Sequence, residues 1–499
     1  NPGWYAVEAL QVLSNPKNED AFSWATSYYA NALTEHLAKT HPNLYTRFDR
    51  DTLAIRMNQA IRKMQDLQNE EGSWSWFKGM KGNRFMTTQI TELLTRLQVM
   101  TGELPVDDKM QKMYTRALTY LAKEAKEEYI SLIKEEKNSR TNIYPSEQVL
   151  HYLYICAING NQDADLKVND YFIDKLAQLE TLGLLTIYGK AQGAVILHMA
   201  GKEKKAKEFL ESVMEYSVYT DEMGRYFDTP RASYSWHSYK IPTQVAVMEA
   251  VHSIANEMKT VEELKRWLLQ QKRVQDWDTP IATADAVYAL LNIGENVLTN
   301  TGECELVLGK TDIRLTKNDT LSYVKQTIDG KVTDIREVTV EKFSPGMGWG
   351  AVYAEYEEEM NQIGMQGDVL CIRKEIYKNG KQIENGELLR VGDKLTIRLI
   401  VKADRDMDFI EVKDERAACM EPVDVISGYR WTEGLGTYQR TKDTSTSFFI
   451  DQMRKGTYVL QYDVHVDIAG TYQCGASTIR SVYAPEYNGH EGGGKINVE

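Results

Sequence analysis

The feature that most constrains this chain is a change of hydrophobic period near residue 295. Before it, apolar residues recur at helical spacing. Ile90, Leu93, Leu94 and Leu97 stand at i, i+3, i+4 and i+7, and Ala284, Val287, Tyr288 and Leu291 repeat the pattern. Each set lays one apolar stripe along one helix face. After residue 295 the period falls to two. Leu395, Ile397, Leu399 and Val401 alternate with Thr396, Arg398 and Ile400, and Tyr458, Leu460, Tyr462, Val464 and Val466 alternate likewise. Strands with one buried face produce this pattern. Helices first and strands second predict separate domains, not an alternating parallel sheet.

Besides the two stripes, helical spacing covers about 4–13, 20–39, 51–67, 107–135, 145–158, 167–178, 181–200, 203–216 and 242–257. Thr260 with Glu263 reads as a capping box for a helix through Trp267. Roughly ten to twelve antiparallel helices need a closed packing solution, either an α/α toroid or a superhelical array. Ser73-Trp74-Ser75-Trp76, Tyr234-Ser235-Trp236 and Trp277-Asp278-Thr279 each precede a helix with an early Thr (Thr87/Thr88, Thr243, Thr283), which predicts repeated loop-to-helix units on one rim. In the second part, Asp329-Gly330, Asn379-Gly380 and Asn385-Gly386 are hairpin signals, because these residue types tolerate positive φ.

Net charge is −13 over 499 residues. An acidic chain gains nothing from counterion release, which argues against nucleic acid as a partner. No run approaches the roughly 18 apolar residues of a membrane span. The five cysteines, Cys156, Cys304, Cys371, Cys419 and Cys474, form no CxxC and are odd in number. Isolated thiols are expected, without a disulfide framework or a structural zinc site. The chain opens Asn1-Pro2-Gly3, with no initiator Met and no signal-like segment, as a processed protein or a piece of a longer one would.

Catalytic signatures are absent: no HExxH, no GxxxxGK[ST], no GxSxG. Asp163-Ala164-Asp165-Leu166 does not complete the acidic cluster of a terpene-cyclase toroid. No catalytic residue, metal ligand or cofactor site is assigned. The aromatics Trp74, Trp76, Tyr234, Trp236 and Trp277 have two readings: a contact surface for sugar or peptide, or loop packing against the rim.

Several stretches resemble the C-terminal half of bacterial alpha-2-macroglobulin-like proteins of the Bacteroides type. They are Trp4-Tyr5-Ala6-Val7-Glu8-Ala9-Leu10, Glu71-Gly72-Ser73-Trp74-Ser75-Trp76-Phe77, Thr283-Ala284-Asp285-Ala286-Val287-Tyr288-Ala289-Leu290 and, most specifically, Val412-Lys413-Asp414-Glu415-Arg416-Ala417-Ala418-Cys419-Met420-Glu421-Pro422-Val423, with Tyr483-Ala484-Pro485-Glu486-Tyr487 beyond it. The resemblance runs collinearly over the whole chain. It implies an all-α α/α toroid over 1–297, the second half of a CUB-like β domain over 298–360, and a last macroglobulin β-sandwich over 361–499. It also implies that the first CUB strands are missing, leaving an exposed or covered sheet edge.

Thioester-bearing members of that family carry Cys-x-Glu-Gln shortly after a Tyr-Pro near the start of the toroid. Alignment on Pro16 places Glu19 at the Cys position and Phe22 at the Gln position. Neither can supply its half of the bond. The resemblance therefore implies a thioester-less protein, periplasmic or anchored to the outer membrane, acting as a non-covalent protease trap or a scaffold for envelope proteins. Its partners would be proteases or envelope proteins and the N-terminal macroglobulin domains of the same chain. Two alternatives stand beside it. One is a glycan-binding or polysaccharide-lyase-like toroid using residues such as Tyr234 or His237. The other is a structural interaction module.

Overall fold

The computed structural model describes residues 2–298, 304–308, 311–314, 337–343, 360 and 362–499, except residues 17, 43, 45–47, 103–107, 139–142, 161–164, 222, 228–232, 273–276, 278, 295–297, 433 and 483–486. Residues 1–349 and 350–499 form two compact units.

In the first unit the described residues form twelve α-helices: α1 (Pro2–Leu13), α2 (Ala21–Thr40), α3 (Arg50–Leu67), α4 (Arg84–Thr101), α5 (Asp108–Lys137), α6 (Glu147–Ile158), α7 (Leu166–Ala177), α8 (Ile187–Met199), α9 (Glu203–Met214), α10 (Ser233–Ala250), α11 (Met258–Gln270) and α12 (Pro280–Asn292). The even-numbered helices close a ring. α2 packs on α4, α4 on α6, α6 on α8, α8 on α10, α10 on α12, and α12 on α2. The odd-numbered helices line its outside: α3 lies on α2, α5 on α4 and α6, α7 and α9 on α8, α11 on α10, and α1 on both α12 and α2. This is the expected α/α toroid, not an open array.

Composition separates the two layers. The inner helix α8 is buried on almost every face and carries two Ala and two Gly. Small residues let neighbours approach closely: a Cβ on Gly193 would stand 2.9 Å from the Phe209 ring of α9. The outer helices α3, α5, α9 and α11 bury one stripe and expose the rest, as amphipathic helices do. Inner helices start at side-chain caps: Asp20, Asn83, Ser146, Thr186 and Thr279 each accept from the backbone N–H three residues on.

Two helix boundaries differ from expectation. α11 begins at Met258, and Thr260 Oγ1 donates to Glu257 while Glu263 pairs with Arg225, so no Thr260–Glu263 capping box forms. α10 starts well before Pro242 and kinks at Tyr239. A π-helical turn, Val251–Ala255, follows it and ends at Asn256 in the left-handed region.

A hairpin, β1 (Ser217–Thr220) and β2 (Gly224–Phe227), packs on α11. A three-stranded antiparallel sheet follows: β3 (Cys304–Leu308), β4 (Thr311–Arg314) and β5 (Val338–Lys342), with β3 central. Asp329-Gly330 lies outside the described residues.

The second unit contains β6 (Gln366–Gly367), β7 (Leu370–Lys378), β8 (Lys381–Gln382), β9 (Leu388–Leu389), β10 (Lys394–Ala403), β11 (Met407–Glu415), β12 (Met420–Pro422), β13 (Gly428–Thr432), β14 (Leu435–Thr441), β15 (Ser445–Met453), β16 (Gly456–Val466), β17 (Gly470–Gln473), β18 (Ser477–Ser481), β19 (Asn488–Glu491) and β20 (Lys495–Val498). One sheet has the order β12-β16-β10-β7-β8, a second β13-β14-β15-β11-β18-β19-β6, and a small third β17-β20-β9. The alternating sets in β10 and β16 join residues of β7, β11, β15 and β18 in one apolar core. Asn379-Gly380 is the expected two-residue turn, both residues at positive φ, between β7 and β8. Asn385-Gly386 is not a hairpin: it carries the chain from the β8 sheet to the β9 sheet.

Inside this core lies a buried ion pair. Lys374 Nζ donates to Asp414 Oδ1 at 2.8 Å. The Ser477 and Tyr462 hydroxyls donate to the same carboxylate, each at 2.5 Å. Asp414 is fully buried, so these partners supply what water would otherwise give it.

Candidate functional site

The first turns of the inner helices α2, α4 and α8 and the kink of α10 come together at one mouth of the ring. Phe22, on the first turn of α2, meets Trp76 edge-on at 5.2 Å between ring centroids and Phe85 of α4 at 6.4 Å. Phe85 meets Tyr239 of α10 at 6.0 Å, and Tyr239 meets Tyr188 of α8 at 5.6 Å. Glu19 faces solvent beside this aromatic belt. Lys63 Nζ donates to its carboxylate at 2.7 Å and holds it below its ordinary range. The same Lys63 ammonium lies over the Trp24 ring.

Deeper along the ring axis is a closed polar cluster. Arg96 of α4 takes Glu92 Oε1, one turn earlier on its own helix, at 2.8 Å and Asp285 Oδ1 of α12 at 2.6 Å. Tyr154 of α6 accepts from Arg96 at 3.2 Å and donates to Glu249 Oε2 of α10 at 2.5 Å. Tyr288 of α12 donates to Glu249 Oε1 at 2.9 Å, and its ring lies 4.6 Å from the Arg96 guanidinium. His151 of α6 binds Glu92 through Nε2, and the Tyr188 hydroxyl stands 3.4 Å from that nitrogen. Gln192 donates to Tyr188, and Gln89 to Tyr239.

Three carboxylates thus share one guanidinium and one imidazole. Burial pushes the Asp285 carboxyl up to about 7, although Arg96 pulls the other way. Burial would also raise Glu92, but Arg96 and His151 beside it bring it below its ordinary range. Arg96 is held well above its usual value by those carboxylates against the cost of burial. Burial raises the phenols of Tyr154, Tyr188 and Tyr288 far out of reach of neutral pH.

The mixture of Tyr, His, Arg and carboxylates is what a lyase-type toroid would need, yet it is enclosed. The Arg96 side chain is 4% exposed and Glu92 5%. Their hydrogen-bonding groups are turned on one another. A sugar would have to break this network before touching it.

The aromatics singled out from sequence do not form one surface. Trp74 is fully buried and Trp277 is 2% exposed, because their polar atoms are satisfied inside the rim. The Trp74 indole donates to Met64 O of α3 and its backbone N–H to Thr87 Oγ1. The Trp277 indole donates to Leu268 O of α11 and its backbone N–H to Thr283 Oγ1. These are equivalent loop-to-helix joints, and both residues are corrected from contact surface to core. Trp76 alone of the described set reaches solvent. Tyr234 and Trp236 stand on the first turn of α10, with side chains outside the described residues. His151 and Glu92 were missed in the sequence; the available signal was a charge inside an otherwise apolar helix, as in Leu150-His151-Tyr152-Leu153.

Residues 370–486, which span β7 to β19's approach and hold the Lys374–Asp414 pair, match the model of the bacterial alpha-2-macroglobulin MG10 domain. That segment is thus similar to a bacterial alpha-2-macroglobulin domain. An alpha-2-macroglobulin homolog of Nostoc sp. is 22% identical over 473 residues, which are 89% of this chain and 23% of that protein. The chain therefore spans about a quarter of that relative. Escherichia coli alpha-2-macroglobulin, solved from domain MG7 to the C-terminus, aligns over 99% of this chain and 75% of that one, at 12% identity and a TM-score of 0.39. Salmonella alpha-2-macroglobulin reacted with methylamine aligns over 99% of this chain and 31% of that one, at 11% identity and a TM-score of 0.39.

Proposed function

We propose that this chain is the C-terminal part of a macroglobulin-like protein that engages proteases or other envelope proteins without forming a covalent bond to them. The observation that carries this reading is the corner at the start of α2. Phe22 is wedged against Trp76 and Phe85, and Glu19 is tied to Lys63. A phenyl ring and a carboxylate supply neither the thiolate nor the acyl group of a thioester. No cysteine precedes Cys156. That thiol is buried in α6, and burial pushes it up to about 11, which keeps it protonated and unreactive at neutral pH.

On this reading, 1–297 is the toroid of the family's thioester domain with its motif replaced, 298–360 the second half of a CUB-like domain, and 361–499 the last macroglobulin domain. The protein would work in the periplasm or at the outer membrane. The chemical half of the proposal is tested by methylamine, a nucleophile that opens thioesters. Intact mass should be unchanged after treatment of the native chain, and an adduct on any Gln would overturn it. The functional half is tested with the full-length protein and a protease. Cleavage with compaction in small-angle scattering is expected of the full-length protein, while this chain alone should leave the protease active. Full inhibition by this chain alone would count against the reading.

A further inference from the structure

Asn-Gly occurs four times in the chain, at Asn159-Gly160, Asn379-Gly380, Asn385-Gly386 and Asn488-Gly489. Each pair can undergo the same intramolecular reaction, because glycine puts no side chain in the way of its own backbone nitrogen. That nitrogen must reach Asn Cγ, so the asparagine side chain has to swing freely and the glycine N–H has to be unbonded. The fold treats the four pairs differently.

Three are held. Asn159 caps the C-terminus of α6; its amide donates to the Tyr114 hydroxyl at 3.4 Å, and Gly160 N–H donates to Ala157 O at 3.3 Å. Asn385 Oδ1 accepts from Lys495 N–H at 2.7 Å, while Gly386 N–H donates to Lys495 O at 3.1 Å. Gly489 lies inside a sheet, opposite Ile479 of β18 on one side and Gly367 of β6 on the other, and a Cβ there would stand 2.3 Å from Leu370 O. The fourth pair is open. Asn379 and Gly380 are both exposed at the β7–β8 turn, and a Cβ on Gly380 would meet nothing within 4 Å. Among the described residues no hydrogen bond holds the Asn379 side chain or the Gly380 N–H. Asn379 stands at φ +50°. The edge strand β8 has only two residues, held by the pairs Tyr377↔Gln382 and Lys378↔Lys381 and by Ile383 N–H on Ile376 O. So short an edge opens at small cost, and opening lets the Asn379 backbone leave its turn conformation.

We propose that Asn379 is the Asn-Gly site at which this protein deamidates spontaneously, and that the change releases β8. The Gly380 nitrogen, losing its proton to water or hydroxide, bonds to Asn379 Cγ. The Cγ–Nδ2 bond breaks, and the side-chain nitrogen takes up a proton and leaves as ammonia. Water then opens the succinimide at either carbonyl, giving Asp or isoAsp, with no oxidant or reductant. Isoaspartate routes the main chain through Cβ and Cγ and so lengthens by one atom a turn of only two residues. The Lys378↔Lys381 register then no longer closes, and the outer edge of β7 loses its partner.

The test is incubation of the full chain at mildly alkaline pH, folded and in urea, followed by tandem mass spectrometry of its peptides. Exchange of amide for acid adds about 1 Da. In the folded protein Asn379 should gain it about tenfold faster than Asn159, Asn385 or Asn488, the penalty of one hydrogen bond that has to open first. In urea the four should react at similar rates. Asn379→Gln, whose longer side chain does not close the five-membered ring, should remove the fast phase. Hydrogen exchange at Ile383 N–H should quicken in the aged protein relative to the fresh one. Similar rates at all four sites in the folded chain, a faster site among the other three, or a lead for Asn379 as large in urea would overturn the proposal. So would unchanged exchange at Ile383 once Asn379 has become isoAsp.

Discussion

Arg96 of α4 and Asp285 of α12 meet at 2.6 Å, 189 residues apart in sequence, on the axis of the helical ring. Arg96 is the cation that Glu92 and Glu249 also face. Replacing it by Met should leave buried carboxylates without a counter-charge. A loss of about 3–5 kcal/mol is expected, since breaking one side of a buried ion network strands the other. Urea denaturation followed by helical ellipticity measures it.

The pH dependence of the same cluster has a definite sign. Asp285 titrates near 7 in the folded ring, against an ordinary value of 3.8. The native state therefore holds a proton that the unfolded chain has released. The Asp285 contribution to stability falls as pH rises from about 4 to about 7 and is fully lost above that. Glu92, whose carboxyl is lowered, acts oppositely and only in the acid range, whereas His36, lowered by burial, opposes Asp285 between pH 5.5 and pH 7.5, so the Asp285 share is read from the change that Asp285→Asn makes in that comparison. The urea midpoint should be higher at the lower pH, and Asp285→Asn should flatten that difference.

The two rim joints predict a matched pair of effects. Thr283→Val leaves the buried Trp277 N–H without an acceptor, and Thr87→Val does the same to Trp74. Each should cost about 1–3 kcal/mol, the price of a stranded buried donor. Similar losses in melting experiments would establish the joints as equivalent. A Trp76→Phe change, which touches no such bond in the rim, should cost far less.

Phe22→Ala removes an aromatic side chain from between Trp76 and Phe85. Because Phe22 is only partly buried, a loss of about 1–3 kcal/mol is expected, less than for a core phenylalanine. Phe22→Tyr, which keeps both edge contacts, should recover most of it.

In the sandwich, Lys374→Met strands the Asp414 carboxylate in the core. A loss of about 3–5 kcal/mol is expected. The triple change Lys374→Met, Asp414→Leu and Ser477→Ala should be milder than Lys374→Met alone, because it removes the unpaired charge. Guanidinium denaturation followed by β-sheet ellipticity compares the two.

Local periodicity carried most of the architecture. The stripe Ile90–Leu97 and the alternation Leu395–Val401 each report one face of one element, and each element formed. The joints at Trp74 and Trp277 were legible as loop-to-helix units from the Thr that follows, but their aromatics read equally well as a surface. Only the positions of Met64 O and Leu268 O, at the ends of other helices, decide that question. The axial cluster was the least legible part. Its members come from α4, α6, α8, α10 and α12, and among the described contacts Glu92–Arg96 is the ion pair at local helical spacing. A single sequence offers no signal that Asp285 faces Arg96. The corner at Glu19 and Phe22 was visible only through the family pattern; nothing in the segment's own periodicity marks it.

Closure of the ring has a consequence for its birth. α12 lies between α10 and α2, and α1 straddles the seam, where Lys272 reaches Glu8 at 2.8 Å. During synthesis, helices α2 to α11 emerge before the element that completes the circle. Until then Arg96 waits beside Glu92 and Glu249 without Asp285, and the flanks of α2 and α10 stay wet. An open solenoid could settle one repeat at a time. A circle cannot: its first and last helices must find each other across nearly the whole domain, so the toroid should reach its native state in one late, all-or-none step.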